Sequence, residues 1–168
     1  EQVKKLVLTE QKLYKEQDLY DTQVRLYQKL SELGRSLNSN FELEDVFQKT
    51  LEFILYELNF ERAIVFYETE ENLLEVQWLE GYYEENIEEK VKALSINIHM
   101  SSENIPEKSE ELHLCFPPHM EKIVIFPDTP DKNLSKIQQA ISIDSFFIFP
   151  LRENEKERPV GLVIAGNT

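Results

Sequence analysis

The chain has 168 residues, with 18 Lys and Arg against 32 Asp and Glu and a formal charge of −14. That length suits one domain with an appended helix, and 41% hydrophobic with 11% aromatic content marks a folding sequence, not a disordered acidic tail. The acidity excludes binding driven by Lys and Arg, whether to nucleic-acid phosphates or to an anionic membrane surface.

Residues 3–37 contain no proline, only Gly34, and many Glu, Gln, Lys and Leu, so they predict one long helix. Leu6, Leu13, Tyr20 and Tyr27 recur every seven residues, with Val3, Glu10, Gln17 and Val24 three positions before them. These are d and a columns of a heptad, and the two polar a residues would fix register at a cost in stability. The dimer helix expected from them is a parallel coiled coil carried by Val3, Leu6, Leu13, Tyr20, Val24 and Tyr27. Further on the stripe shifts to Leu26, Leu30, Leu33 and Leu37, the phase of a helix rolling onto a globular body. The alternative is a single amphipathic helix packed on its own domain. Residues 1–37 are thus read as a dimerisation helix and residues 38–168 as a second domain.

Asn38, Ser39 and Asn40 break the helix. Leu43, Val46, Phe47, Leu51, Ile54, Leu55 and Leu58 then repeat at helical spacing, and Asn59 suits the left-handed conformation that ends a helix. The period changes to two at residues 62–67 and again at 73–79, which predicts a hairpin closed by Gly81. Residues 84–94 read as a short acidic helix and 95–100 as a strand. Pro106, Pro117 and Pro118 interrupt residues 101–120, where no period persists. Residues 123–126 form a short strand, 132–141 a helix, and 145–151 with 159–165 a last hairpin around a charged tip. The sum is an α+β domain with a six-stranded, mostly antiparallel sheet flanked by helices.

Several segments resemble a GAF domain, a sensory module of signalling proteins. LGRSLNSNFELEDV at 33–46 resembles the family's opening, and FERAIVFY at 60–67 resembles its first strand. IFPD at 125–128 is similar to its step into a helix, and FIFPL at 147–151 followed by VGLVI at 160–164 to its closing hairpin. The likeness spans residues 28–168. It departs at 101–120, which lack the Gly-x-x-Gly turn of many relatives, and the NKFDE set of phosphodiesterase GAF domains is not found. The family's usual last helix is missing too.

The resemblance implies a ligand pocket between sheet and helices. It would be lined by Ile64, Phe66, Leu79 and Ile98, with Gln139, Ala140 and Ile143 as a lid and Gln139 the polar reader. The bland alternative is that these side chains simply fill core, a reading that the bulk of Trp78, Phe146, Phe147 and Phe149 favours.

The four glycines are scattered, so neither a Walker loop nor a dinucleotide fingerprint can form. His113 and Cys115 would share one face of a strand, with His119 nearby and Glu110 or Glu111 as a further donor, a weak zinc candidate. The expectation is no metal and no cofactor. Bilin attachment at Cys115 lacks the following His, since Phe116 stands there, and one thiol cannot run the exchange of a GAF-type sulfoxide reductase. The lone cysteine fits a reducing cytoplasm, and no Ser/His/Asp grouping suggests catalysis. Glu1 and Thr168 give the chain abrupt ends, the pattern expected of a piece of a larger protein.

The expected function is therefore a non-catalytic regulatory domain. It would bind a small ligand, cyclic nucleotide first, and relay it through a homodimeric helix to an output such as a nucleotide cyclase or histidine kinase. Two rivals stand beside it: a degenerate GAF domain serving as a dimerisation spacer, and a sensor bearing a metal or chromophore at Cys115 or His113.

Overall fold

The computed structural model describes residues 2–37, 42–70, 72–101, 103, 110–152, 154 and 157–168. It divides into two compact units, Glu1–Val46 and Phe47–Thr168. In the first, helix α1 (Gln2–Leu37) runs without interruption for 36 residues. Its heptad residues are exposed: Leu6 is 70% and Leu13 61% accessible, and Val3, Tyr20, Val24 and Tyr27 are exposed as well. The expected break at residues 38–40 lies outside the described residues. Helix α2 (Leu43–Tyr56) follows, with Glu44 and Asp45 in its first turn where the helix dipole favours them. Asn59 then takes φ 60°, as its place after the helix requires.

The second unit is built on one sheet of seven strands: β1 (Arg62–Glu70), β2 (Leu73–Glu80), β3 (Ser95–His99), β4 (Leu112–Cys115), β5 (Ile123–Ile125), β6 (Ser145–Leu151) and β7 (Gly161–Asn167). Two more helices, α3 (Glu85–Lys92) and α4 (Lys132–Ile141), lie between them in sequence. The sheet order is β4-β3-β2-β1-β7-β6-β5, and every neighbouring pair is antiparallel except β3 with β4.

Sequence periodicity predicts six strands, and the seventh is β4. It has four residues, and prolines at 106, 117 and 118 flank it, so alternation never runs long enough to register. Only the partner strand β3 brings out its pattern. Leu114 is buried in the core and Leu112 packs against it, while His113 and Cys115 turn to the other face.

The two faces of the sheet carry separate cores. On one, Ile64, Phe66, Ile96, Ile98, Ile148 and Ile164 pack with Ile137 and Ile141 of α4 and Val91 of α3. On the other, Ala63, Val65, Val163 and Ala165 receive Phe47 and Leu51 of α2, and Phe47 stacks on Trp78 at 4.5 Å. Strand β1 supplies both cores because its successive side chains alternate between faces. Two fully covered faces explain why its first five residues are all buried. Gly166 lets β7 pass β6 closely, since a Cβ there would stand 2.2 Å from the Ser145 carbonyl oxygen.

Candidate functional site

Helix α4 forms one wall of the larger core, and its ends are held by unlike chemistry. At the start, the Asp131 carboxylate accepts hydrogen bonds from the Asn133 and Leu134 amides at 2.8 and 3.0 Å. At the end, Ser142 turns to φ 55° and its amide donates to the Gln138 carbonyl. The last carbonyls of a helix lack intrahelical donors, and two side chains from distant segments supply them. The Tyr82 hydroxyl donates to the Ile141 carbonyl at 2.7 Å, and Arg62 Nη1 donates to the Ser142 carbonyl at 2.6 Å. The other Arg62 nitrogen, Nη2, reaches Glu84 at 3.1 Å, and the guanidinium lies 4.7 Å from the centre of the Tyr82 ring. A cation at a helix C-terminus also opposes the helix dipole. Burial pushes the Tyr82 phenol well above its ordinary pKa, so it stays a donor.

Away from this clamp, α4 and the β4 edge border a shallow, largely open groove of about 480 Å³ lined by Glu110, Leu112, Lys136, Gln139 and Ala140. It combines a carboxylate, an ammonium and an amide with a small apolar floor, donors and acceptors suited to holding a polar small molecule. Two of the residues expected to line a pocket, Gln139 and Ala140, meet here. The others lie elsewhere: Ile64, Phe66, Ile98 and Ile143 are fully buried in the larger core, and Leu79 packs against it half-buried.

The outer face of β3 and β4 carries a polar cluster. His99 Nε2 lies 3.0 Å from His113 Nδ1, the two nitrogens sharing a hydrogen bond. His113 is buried, and its Nε2 stands 3.9 Å from the Glu111 carboxylate, which also accepts from Asn97 Nδ2 at 3.1 Å. That carboxylate favours the tautomer with a proton on His113 Nε2, leaving Nδ1 as acceptor and His99 Nε2 as donor. Burial, and then the neighbouring His113, lower the His99 pKa. Burial raises that of Cys115, which keeps it a thiol.

The sequence-based metal candidates are only partly brought together. His113 and Cys115 do share a face of β4, but His119 is exposed in a turn at φ 65°. Among the described residues no three His, Cys, Asp or Glu side chains are grouped to hold a metal ion. Sequence reasoning missed both the histidine pair and the Arg62–Tyr82–Glu84 cluster. His99 had a legible signal, as it closes an alternating strand on the same face as Asn97, but its partner lies on the strand that periodicity did not reveal.

No protein-family model matches the chain, and no curated protein matches it by sequence. Solved structures do match by shape. The A. aeolicus NLH2 GAF domain in an inactive state has a TM-score of 0.57 at 11% identity, covering 86% of this chain and 80% of that one. Residues 122 to 287 of a methyl-accepting chemotaxis protein have a TM-score of 0.55 at 15% identity, covering 80% of this chain and 78% of that one. The fold is GAF-like. No helix among the described residues is long and apolar enough to cross a membrane.

Proposed function

We infer that this chain is a non-catalytic regulatory sensor module of a larger cytoplasmic signalling protein. A small ligand, with cyclic nucleotides the first candidates, binds in the groove between α4 and β4. Its binding biases the pairing of α1 with α1 of a second copy, and that helix pair passes the change to an output domain such as a nucleotide cyclase or histidine kinase. The mechanism needs only a ligand with different affinity for two arrangements of the helix pair.

The observation that carries the reading is a GAF-like body preceded in the chain by a 36-residue helix with exposed heptad side chains. Exposed leucines and tyrosines at a and d spacing are costly in isolation and gain burial in a coiled coil. The similar structures come from a GAF domain described in an inactive state and from a chemotaxis protein, both in keeping with signalling.

A second reading, a dimerisation spacer without ligand, draws support from the packed core. Ile64, Phe66, Ile98 and Ile143, four of the residues expected to line the pocket, are fully buried, as side chains that simply fill core would be. A thermal-shift screen against cyclic nucleotides separates the two. Saturable stabilisation, lost in Gln139→Ala, favours the sensor; no shift from any nucleotide favours the spacer.

A further inference from the structure

The geometry points to a binding site for a borderline divalent transition metal, Ni²⁺, Cu²⁺ or Zn²⁺, at the His99–His113 pair on the outer face of β3 and β4. It does not depend on the ligand groove or on dimerisation.

Imidazole is the side chain best matched to these ions, and it binds them as the neutral ring. Two ring nitrogens, His99 Nε2 and His113 Nδ1, converge to 3.0 Å. With metal–nitrogen bonds of about 2.0–2.1 Å, that separation corresponds to an angle of roughly 95° at the metal, a cis pair in square or octahedral coordination. The ring centroids are 5.2 Å apart and the planes tilted by 39°, and a swing of the half-buried His99 ring is what would aim both lone pairs at one point. The proton now shared between the two nitrogens is what a metal ion replaces. His99 then carries its proton on Nδ1, and His113 keeps its own on Nε2, facing Glu111 at 3.9 Å. A carboxylate behind the far nitrogen of a metal-bound histidine orients the ring and raises its basicity.

The parallel register holds the site rigidly. Asn97 stands beside His113 and His99 beside Cys115, so both imidazoles rise from adjacent strands on one face. His99 is half-buried and leaves a path from solvent. Among the described residues no third His, Cys, Asp or Glu completes the group, so the proposed site rests on the two imidazoles.

Calorimetric titration of the purified chain with NiCl₂ at pH 7.5 tests this. The expected result is one saturable equivalent, weakened roughly tenfold or more in His99→Gln and in His113→Gln because half of the protein ligands are lost, and unchanged in His119→Gln. Buried His113 is the riskier substitution for folding; His99→Gln, at a half-exposed ring, decides the matter with its circular dichroism matched to the parent. No saturable binding by the parent chain, or equal affinity in a folded His99→Gln, overturns the proposal.

Discussion

Replacing Tyr82 by Phe removes one oxygen from a buried clamp and nothing else. The ring stays in the larger core, where Tyr82 is 5% exposed, so the apolar burial is retained. What disappears is the 2.7 Å hydrogen bond to the carbonyl of Ile141, a residue with no accessible surface at the end of α4. That oxygen is among the helix carbonyls without an intrahelical donor, and the phenyl ring excludes water from the vacated position. Leaving a buried acceptor unsatisfied costs about 1–3 kcal/mol, which corresponds to a fall in Tm of roughly 3–10 °C for a chain of this size. Arg62→Ala adds the loss of two hydrogen bonds and of cation–ring contact, while freed Glu84 is hydrated because it is exposed. The two residues grip successive carbonyls of one helix end, so the double variant loses less than the sum, with a coupling on the order of 0.5 kcal/mol or more. Thermal melts of the parent, both single variants and the double variant measure this, with Tyr83→Phe as an exposed control. A Tyr82→Phe protein melting within 1 °C of the parent (roughly the scatter of such scans) refutes the clamp as a source of stability.

Acid should weaken the edge of the sheet. The folded-state pKa of His99 is lowered, so the unfolded chain takes up a proton first, and the stability this group contributes at neutral pH is lost as pH falls below its ordinary value of 6.5. Urea midpoints at pH 7.5 and 5 should therefore differ more in the parent than in His99→Gln; equal differences count against the shift. Gly166→Ala should destabilise by about 3 kcal/mol or more, because the new methyl meets both the Ser145 carbonyl oxygen and Phe146 Cβ at under 3 Å. Guanidinium denaturation reads it, and a loss below about 1 kcal/mol would mean the strands can part without penalty. Leu13→Asp puts a charge at a d position and should convert a dimer to a monomer by light scattering without changing the mid-range melting of the body. A parent chain that is already monomeric at high concentration removes the dimer from the proposal.

The readable part of this protein was local. A helical apolar repeat marks α2, and the helix expected from Lys132 to about residue 141 is present as Lys132–Ile141. Alternation marks β1, β2, β3 and the β6–β7 hairpin, and Asn59 announces the end of α2 by tolerating φ 60°. These features depend on one chain segment at a time, where backbone preference and side-chain spacing act together. The order of elements, together with the segments at 33–46, 60–67, 125–128, 147–151 and 160–164, carries the resemblance to a GAF domain.

What a segment means to its neighbour was not readable. Leu112–Cys115 becomes a strand because parallel pairing with β3 satisfies its backbone, and that pairing brings His113 to His99 across 14 positions of sequence. Arg62 and Tyr82 reach the end of α4 from 80 and 59 residues away, and the residues between show no pattern that would announce it. Sequence by itself determined the acidic character, the helix and strand periods, and which face of each element is apolar. Tertiary structure alone decided the sheet order, the filling of the core around Phe66 and the polar groups that meet at the helix end and sheet edge. Periodicity is a property of consecutive residues, whereas a hydrogen bond between distant ones exists only after the chain has closed the loop between them.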